Sequence, residues 1–197
     1  MKKLTAVMAM LLCTAGGLMA FSGQYVSVKG AYEASKQEYS EGARSINIFD
    51  AKGPALGLSY GAYFGESLRA EINYNYKDLK DTKTLANTGI PFDSGSTIKT
   101  AQHTFLANVF YYPFGRIIIS PFVGAGAGYG IVKDKTYGLP TKGNFAYAVY
   151  LGADYPLTEK FAIDLTASYN AILNPYDYPG YKNINNFGGG LGLRYSF

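Results

Sequence analysis

The sequence predicts an all-β fold, an eight-stranded antiparallel up-and-down transmembrane β-barrel, on three observations. Apolar and polar residues alternate with period two along most of the chain, which is typical of strands with one apolar face. Short and long connections alternate between these segments, as they do in an up-and-down meander. The apolar face of the segments carries no charge, and a face in lipid must be uncharged because a mid-membrane Arg or Lys costs about 2–4 kcal/mol.

The first twenty residues, "MKKLTAVMAMLLCTAGGLMA", do not follow this alternation. Two lysines precede an apolar core, and small residues follow it, which is the layout of a cleaved secretory signal peptide. We therefore expect residues 1–20 to be removed and residues 21–197 to form the barrel. The single cysteine, Cys13, lies in the leader, so we expect neither disulfides nor thiol chemistry in the mature chain.

Four segments in the first half have the alternation of a strand. The clearest is "SLRAEINYNYK", where Leu68, Ile72 and Tyr74 share one parity while Arg69 and Glu71 share the other. The predicted strands, each with two residues of its apolar face, are 24–34 (Val26, Val28), 53–64 (Leu56, Leu58), 67–78 (Ile72, Tyr74) and 101–112 (Phe105, Val109).

The second half continues the alternation up to the last residue. The segment "PFVGAGAGYG" places four glycines on one face. It does not match a dinucleotide-binding motif, because Tyr129 occupies the third glycine position and no helical pattern follows. The predicted strands are 117–132 (Val123, Tyr129), 144–155 (Val149, Leu151), 161–172 (Ile163, Leu165) and 186–197 (Leu191, Leu193).

The connections predict which end of the barrel faces which compartment. The short ones are "GES", "PFGR" and "PLTEK", whereas the long polar ones span 35–52, 79–100, 133–143 and 173–185. Bacterial barrels have short periplasmic turns and long extracellular loops, so we expect both ends of the barrel chain at the periplasmic side. A soluble barrel also alternates, but the small residues opposite the apolar face and the aromatics near the segment ends favour a membrane barrel with a narrow lumen.

Three stretches together resemble a known family: "NFGGGLGLRYSF" at the end of the chain, "PFVGAGAGYG" at 121–130 and "NVFYYPFG" at 108–115. They are similar to the small outer-membrane β-barrels, which include opacity-type adhesins and OmpA/OmpX-like barrels. The resemblance implies a location in the outer membrane of a Gram-negative cell envelope. It also implies that Phe197, supported by Tyr195 and Leu193, is the signal recognised by the barrel-assembly machinery.

Eight charged residues have the parity of the lumen, and their charges sum to zero. A charge in a narrow lumen needs a partner. Asp164 and Arg194 lie on neighbouring strands, and barrel closure brings Lys29 near Arg194, with Asp164 and Glu71 as the expected counter-ions. We interpret the set as an ion network that fills a closed barrel, with a gated polar pathway as the alternative. The set comprises Lys29, Glu33, Arg69, Glu71, Lys77, Asp154, Asp164 and Arg194.

The sequence leaves three functions open. The first is a non-enzymatic structural or adhesin role, in which the long loops bind a host or extracellular ligand. The second is a narrow transporter, through the lumen or by lateral release of a small hydrophobic molecule. The third is a lipid-modifying enzyme centred on His103, the only histidine, with Ser96 or Asp93 in the adjacent loop as partners.

Composition restricts the classes of partner that we expect for this protein. We expect contacts with outer-membrane lipids and lipopolysaccharide, since loop lysines can meet anionic sugars and phosphates. We expect no nucleic acid partner, because the formal charge of +4 falls to +2 without Lys2 and Lys3 and is scattered. We expect no cofactor and no metal, because one histidine and scattered carboxylates do not form a ligand set.

Overall fold

The computed structural model describes residues 21–41, 44–81, 98–135, 143–175 and 181–197. The strands in these ranges are β1 Phe21–Glu41, β2 Arg44–Phe64, β3 Leu68–Asp81, β4 Ile98–Tyr111, β5 Ser120–Asp134, β6 Gly143–Pro156, β7 Phe161–Ile172 and β8 Tyr181–Ser196. The predicted signal peptide, residues 1–20, lies outside the described residues. No helix in the described ranges is both long and apolar enough to cross a membrane.

The eight strands form one closed antiparallel barrel. Each strand pairs with the next, and β8 pairs with β1. The closing seam continues almost to the last residue, because Tyr25 is opposite Ser196 and the amide of Phe197 donates to the carbonyl of Gln24 at 3.0 Å. Closure leaves no unpaired edge, as a lipid environment requires. The predicted eight-stranded up-and-down barrel is confirmed.

The outer face of the barrel is apolar. Leu58, Leu151 and Leu191 expose 60%, 63% and 60% of their surface, and further large hydrophobic side chains surround them on every strand. A water-soluble protein rarely exposes so extensive an apolar surface, so this face contacts lipid. The inner face carries buried charged and polar side chains together with buried aliphatic and aromatic ones.

The prediction of a loop over 35–52 is wrong. β1 continues to Glu41 and β2 begins at Arg44, and the two strands stay paired through Lys36 opposite Asp50. A tilted strand needs only about 9–11 residues to cross a bilayer, so this hairpin, whose two strands have 21 residues each, extends well beyond it. The outward positions here, Lys36, Asp50 and Lys52, are charged and exposed, so the lipid-facing alternation stops while the backbone ladder continues.

Other boundaries differ by a few residues. The turn between β4 and β5 spans 112–119 rather than "PFGR", and within it Gly115 has a φ of 67° and donates to the carbonyl of Tyr112 at 3.1 Å. The predicted loops at 79–100, 133–143 and 173–185 are shortened by strand residues at their ends. Their central parts, 82–97, 136–142 and 176–180, lie outside the described residues.

Candidate functional site

The periplasmic half of the lumen contains a buried ion cluster, here called the arginine plug, formed by Lys29, Arg69, Asp154, Asp164 and Arg194. Arg194 is at its centre and is 1% exposed. Its two terminal nitrogens bind both carboxylate oxygens of Asp154 at 2.8 and 2.9 Å, and Nη2 also binds Asp164 at 2.9 Å. Such bidentate pairs combine strong charge-assisted hydrogen bonds with a defined geometry.

The register explains why a cation must lie between these acids. Asp154 and Asp164 are direct partners across β6 and β7, so two carboxylates face the lumen side by side. Like charges directly opposite each other are destabilising. Arg194, which is two residues beyond the partner of Asp164 on β8, pairs with both. Arg69 adds a contact to Asp154 at 3.3 Å, and Lys29 adds one to Asp164 at 3.5 Å.

Aromatic rings pack around the plug on the inner face. The guanidinium carbon of Arg69 is 4.0 Å from the ring centre of Phe110 and 5.0 Å from that of Phe122. The hydroxyl of Tyr112 donates to Asp154 at 2.6 Å, and that of Tyr63 contacts Arg194. Sequence reasoning missed these residues because it expected small lumen side chains. The run "NVFYYPF" indicates such residues, because consecutive aromatic residues in a strand lie on both of its faces, including the lumen face.

A second ion pair lies further towards the extracellular end. Lys77 contacts Glu33, and both side chains are buried. Lys77 also contacts the amide oxygen of Asn170, which accepts a hydrogen bond from Asn186 at 3.0 Å. The pair is neutral and its polar atoms are enclosed by amides, so it forms a second closed layer across the lumen.

A small polar cavity of about 30 Å³ lies between the two layers. It touches Lys29 of the plug and Glu33 of the upper pair, and its walls include Tyr150 and Thr166. A space of this size holds one or a few water molecules. The described lumen side chains therefore form two buried ion layers with a small polar space between them.

Glu71 does not take the place expected for it. Instead of meeting Lys29 or Arg194, its carboxylate accepts hydrogen bonds from Tyr25 at 2.7 Å and from Asn108 at 3.2 Å. Tyr25 in turn lies 5.0 Å below the guanidinium of Arg194. Glu71 is thus linked to the plug through an aromatic ring, because its position on β3 places it one layer above Asp154.

His103 lies on the outer face, away from the lumen. Its Nδ1 is 2.8 Å from the hydroxyl of Tyr74, and its ring centre is 5.2 Å from that of Tyr76 with the two rings tilted. The partners considered for an enzyme, Ser96 and Asp93, lie outside the described residues. Within the described ranges no group of three His, Cys, Asp or Glu side chains could hold a metal.

The three residues of the expected assembly signal lie in one outward row at the end of β8. Leu193, Tyr195 and Phe197 are all exposed on the lipid face. Tyr195 packs against Phe161 of β7 with ring centres 5.1 Å apart. The arrangement presents an apolar row at the periplasmic rim, beside the seam where the barrel closes.

Comparisons with known proteins match this architecture. The family model described as "Outer membrane protein beta-barrel domain" matches residues 5–197. Outer membrane protein PagN of Salmonella typhimurium is 24% identical over 140 residues, which cover 64% of this chain and 58% of that protein, less than two thirds of its length.

Two solved structures share the fold at low sequence identity. Neisserial surface protein A superposes with a TM-score of 0.65 at 20% identity, over 90% of this chain and 99% of that one. OprG of Pseudomonas aeruginosa superposes with a TM-score of 0.56 at 17% identity, over 91% and 98%. The chain belongs to the outer membrane protein β-barrel family and is an outer-membrane protein of the Gram-negative type.

Proposed function

We propose that this protein is a non-enzymatic surface barrel that displays its extracellular hairpin and loops to a host or extracellular ligand. The observation that carries the proposal is the closed lumen. The arginine plug and the Lys77–Glu33 pair cross it at two levels, so the interior serves as a rigid support rather than a passage. Eight strands leave an interior just wide enough for side chains, in agreement with this role.

The β1–β2 hairpin supplies the recognition surface. Its strands have 21 residues each, whereas the other six have 12 to 16. Paired strands lose less conformational entropy on binding than an unstructured loop does, and such preorganisation favours affinity. We therefore assign ligand contact first to the part of the hairpin between Lys36 and Asp50.

Shortening the hairpin tests the proposal. Residues 37–49 are replaced by Asn-Gly, since Lys36 and Asp50 are direct partners and a two-residue type I′ turn joins such a pair. We expect bacteria that display this variant to lose most of their binding to host cells and matrix, measured against bacteria that display the intact protein.

Two controls accompany that experiment. Gel mobility before and after heating must show that the shortened barrel is folded, and replacement of 136–142 by a Gly-Ser linker of equal length serves as the matched loop variant. Host binding that is unchanged in both variants would contradict ligand display by the hairpin and loops. Stable single-channel conductance of the wild type in planar bilayers would contradict a closed lumen and favour transport.

We also propose that the last residue is the assembly signal. Phe197→Ser removes the ring at the end of the exposed row on β8 but keeps the backbone bond to Gln24. We expect the variant to accumulate in the periplasm, with several-fold less protein in the outer-membrane fraction. Phe114→Ser removes another well-exposed ring at the same rim and is expected to insert normally; equal insertion of both variants would refute the signal.

A further inference from the structure

The outer face of the barrel has an unusual row of lysines at its extracellular rim, here called the lysine row: Lys52, Lys80, Lys99 and Lys135. Lys52 is the direct partner of Lys80, and Lys80 is the partner of Lys99. The amide of Lys135 donates to the carbonyl of Lys99 at 2.9 Å, which places Lys135 in the same row. All four side chains are exposed.

The close spacing of these lysines favours the binding of an anion. Directly opposed residues of an antiparallel pair have Cβ atoms about 5 Å apart, and like charges at that spacing repel. Lys133 adds a fifth exposed cation two residues before Lys135 on the same face. Within the described part of this face, the carboxylates are Asp78, which binds Lys135 at 3.3 Å, and Asp50, which is the direct partner of Lys36. Counted with Lys36, the described lysines of this face outnumber the described carboxylates six to two.

Lys135 is the member of the row whose ammonium contacts are described. Its ammonium donates to the hydroxyl of Tyr76 and to the carboxylate of Asp78, both at 3.3 Å. These hydrogen bonds raise the pKa of Lys135 above its ordinary value, and a lysine is cationic at physiological pH even without that shift.

An apolar groove begins directly below the row on the membrane side. It has a volume of about 320 Å³ and is lined by Tyr74, His103, Phe105, Ile131 and Lys133. The hydroxyl of Tyr74 is occupied by His103, so the groove presents mainly ring faces and aliphatic surface. Lys133 lies at its upper end, because its partner Ala101 is two residues above His103 on β4.

We propose that the lysine row and this groove bind an anionic glycolipid of the outer leaflet, with its phosphate on the lysines and one acyl chain in the groove. The side chains have the parity of the lipid-facing residues, so they point sideways into the membrane rather than upwards. A cationic rim continuous with an apolar groove matches a phosphorylated, acylated sugar. A soluble polyanion has no acyl chain that could occupy the groove.

The experiment uses the folded protein in zwitterionic detergent, titrated with diphosphorylated, hexa-acylated lipid A and observed by native mass spectrometry. We expect the wild type to retain one lipid A in preference to phosphatidylcholine. Lys80→Gln combined with Lys133→Gln should weaken retention about 5-fold for each lysine removed. Lys160→Gln, which removes an exposed lysine at the periplasmic end, is the matched control and should bind as the wild type does.

Two further measurements test the groove and the lysines separately. Ile131→Trp fills the groove, and we expect it to reduce binding of lipid A while the lysines remain. Raising the salt concentration with the wild type should also reduce retention, because exposed charges are screened, and this measurement needs no variant to fold.

Several outcomes would overturn the proposal. Equal retention of lipid A and phosphatidylcholine by the wild type would do so, as would lysine variants that bind lipid A as tightly as the wild type. Binding of soluble heparin that depends on Lys80 and Lys133, without any effect of either on lipid A, would reassign the row to an extracellular polyanion.

Discussion

Arg194→Met is expected to lower the free energy of unfolding by about 3–5 kcal/mol, the typical cost of removing one partner from a buried ion pair. The substitution leaves Asp154 and Asp164 side by side, with only Arg69 and Lys29 at 3.3 and 3.5 Å to balance them. The chain has no tryptophan, so unfolding in urea is followed by circular dichroism and by the gel mobility of the folded barrel.

Two variants show whether charge balance is the cause. Arg116→Met removes an exposed guanidinium that stacks 4.1 Å from the ring of Tyr63, and its expected cost is below about 1 kcal/mol. Asp164→Asn added to Arg194→Met restores the zero net charge of the eight lumen residues and should recover part of the loss. A loss for Arg194→Met no larger than that for Arg116→Met would mean that the plug does not stabilise the barrel.

Gly128→Ala is expected to destabilise the barrel by about 1–3 kcal/mol through overpacking. A Cβ at this position would lie 2.0 Å from the carbonyl oxygen of Phe105 and 3.0 Å from the Cα of Leu106. Both are backbone atoms of the neighbouring strand, so no side-chain rotation relieves the contact and β4 and β5 must separate. The same urea titration measures the loss.

Gly30→Ala is the matched control, because a Cβ there meets nothing within 4 Å. We expect its stability to stay within about 0.5 kcal/mol of the wild type, as is usual for substitutions away from packed features. If both alanines cost the same, close strand approach at Gly128 is not what selects glycine, because backbone entropy by itself would favour alanine at both positions.

The strands were predictable wherever one face meets lipid. Leu56 and Leu58, or Leu191 and Leu193, alternate with polar residues because the pleat sends successive side chains to opposite faces. The same reasoning failed over 35–52, where Lys36 and Asp50 pair in water. The outward positions there are charged, so the apolar alternation that predicts a lipid-facing strand stops although the two strands stay paired.

The lumen could be predicted as a set of residues but not as a set of contacts. Parity alone placed Asp154, Asp164 and Arg194 inside. In the structure, however, Asp154 is the main partner of Arg194, and Glu71 contacts Tyr25 and Asn108 instead. Which residues meet depends on how far each strand is shifted along its neighbour. Local alternation carries no information on that shift.

The sequence by itself determined the strand number, the antiparallel order and the lipid-facing and lumen-facing parities, since each depends on a pattern within one segment or on the length of one connection. Only the tertiary structure decided which residues face each other across strands. It brought Asp154 beside Asp164, and it aligned Lys52, Lys80 and Lys99 in one row. The physical reason is that closure of the barrel sets one stagger for all eight strands together, and contacts between distant segments follow from that shared stagger.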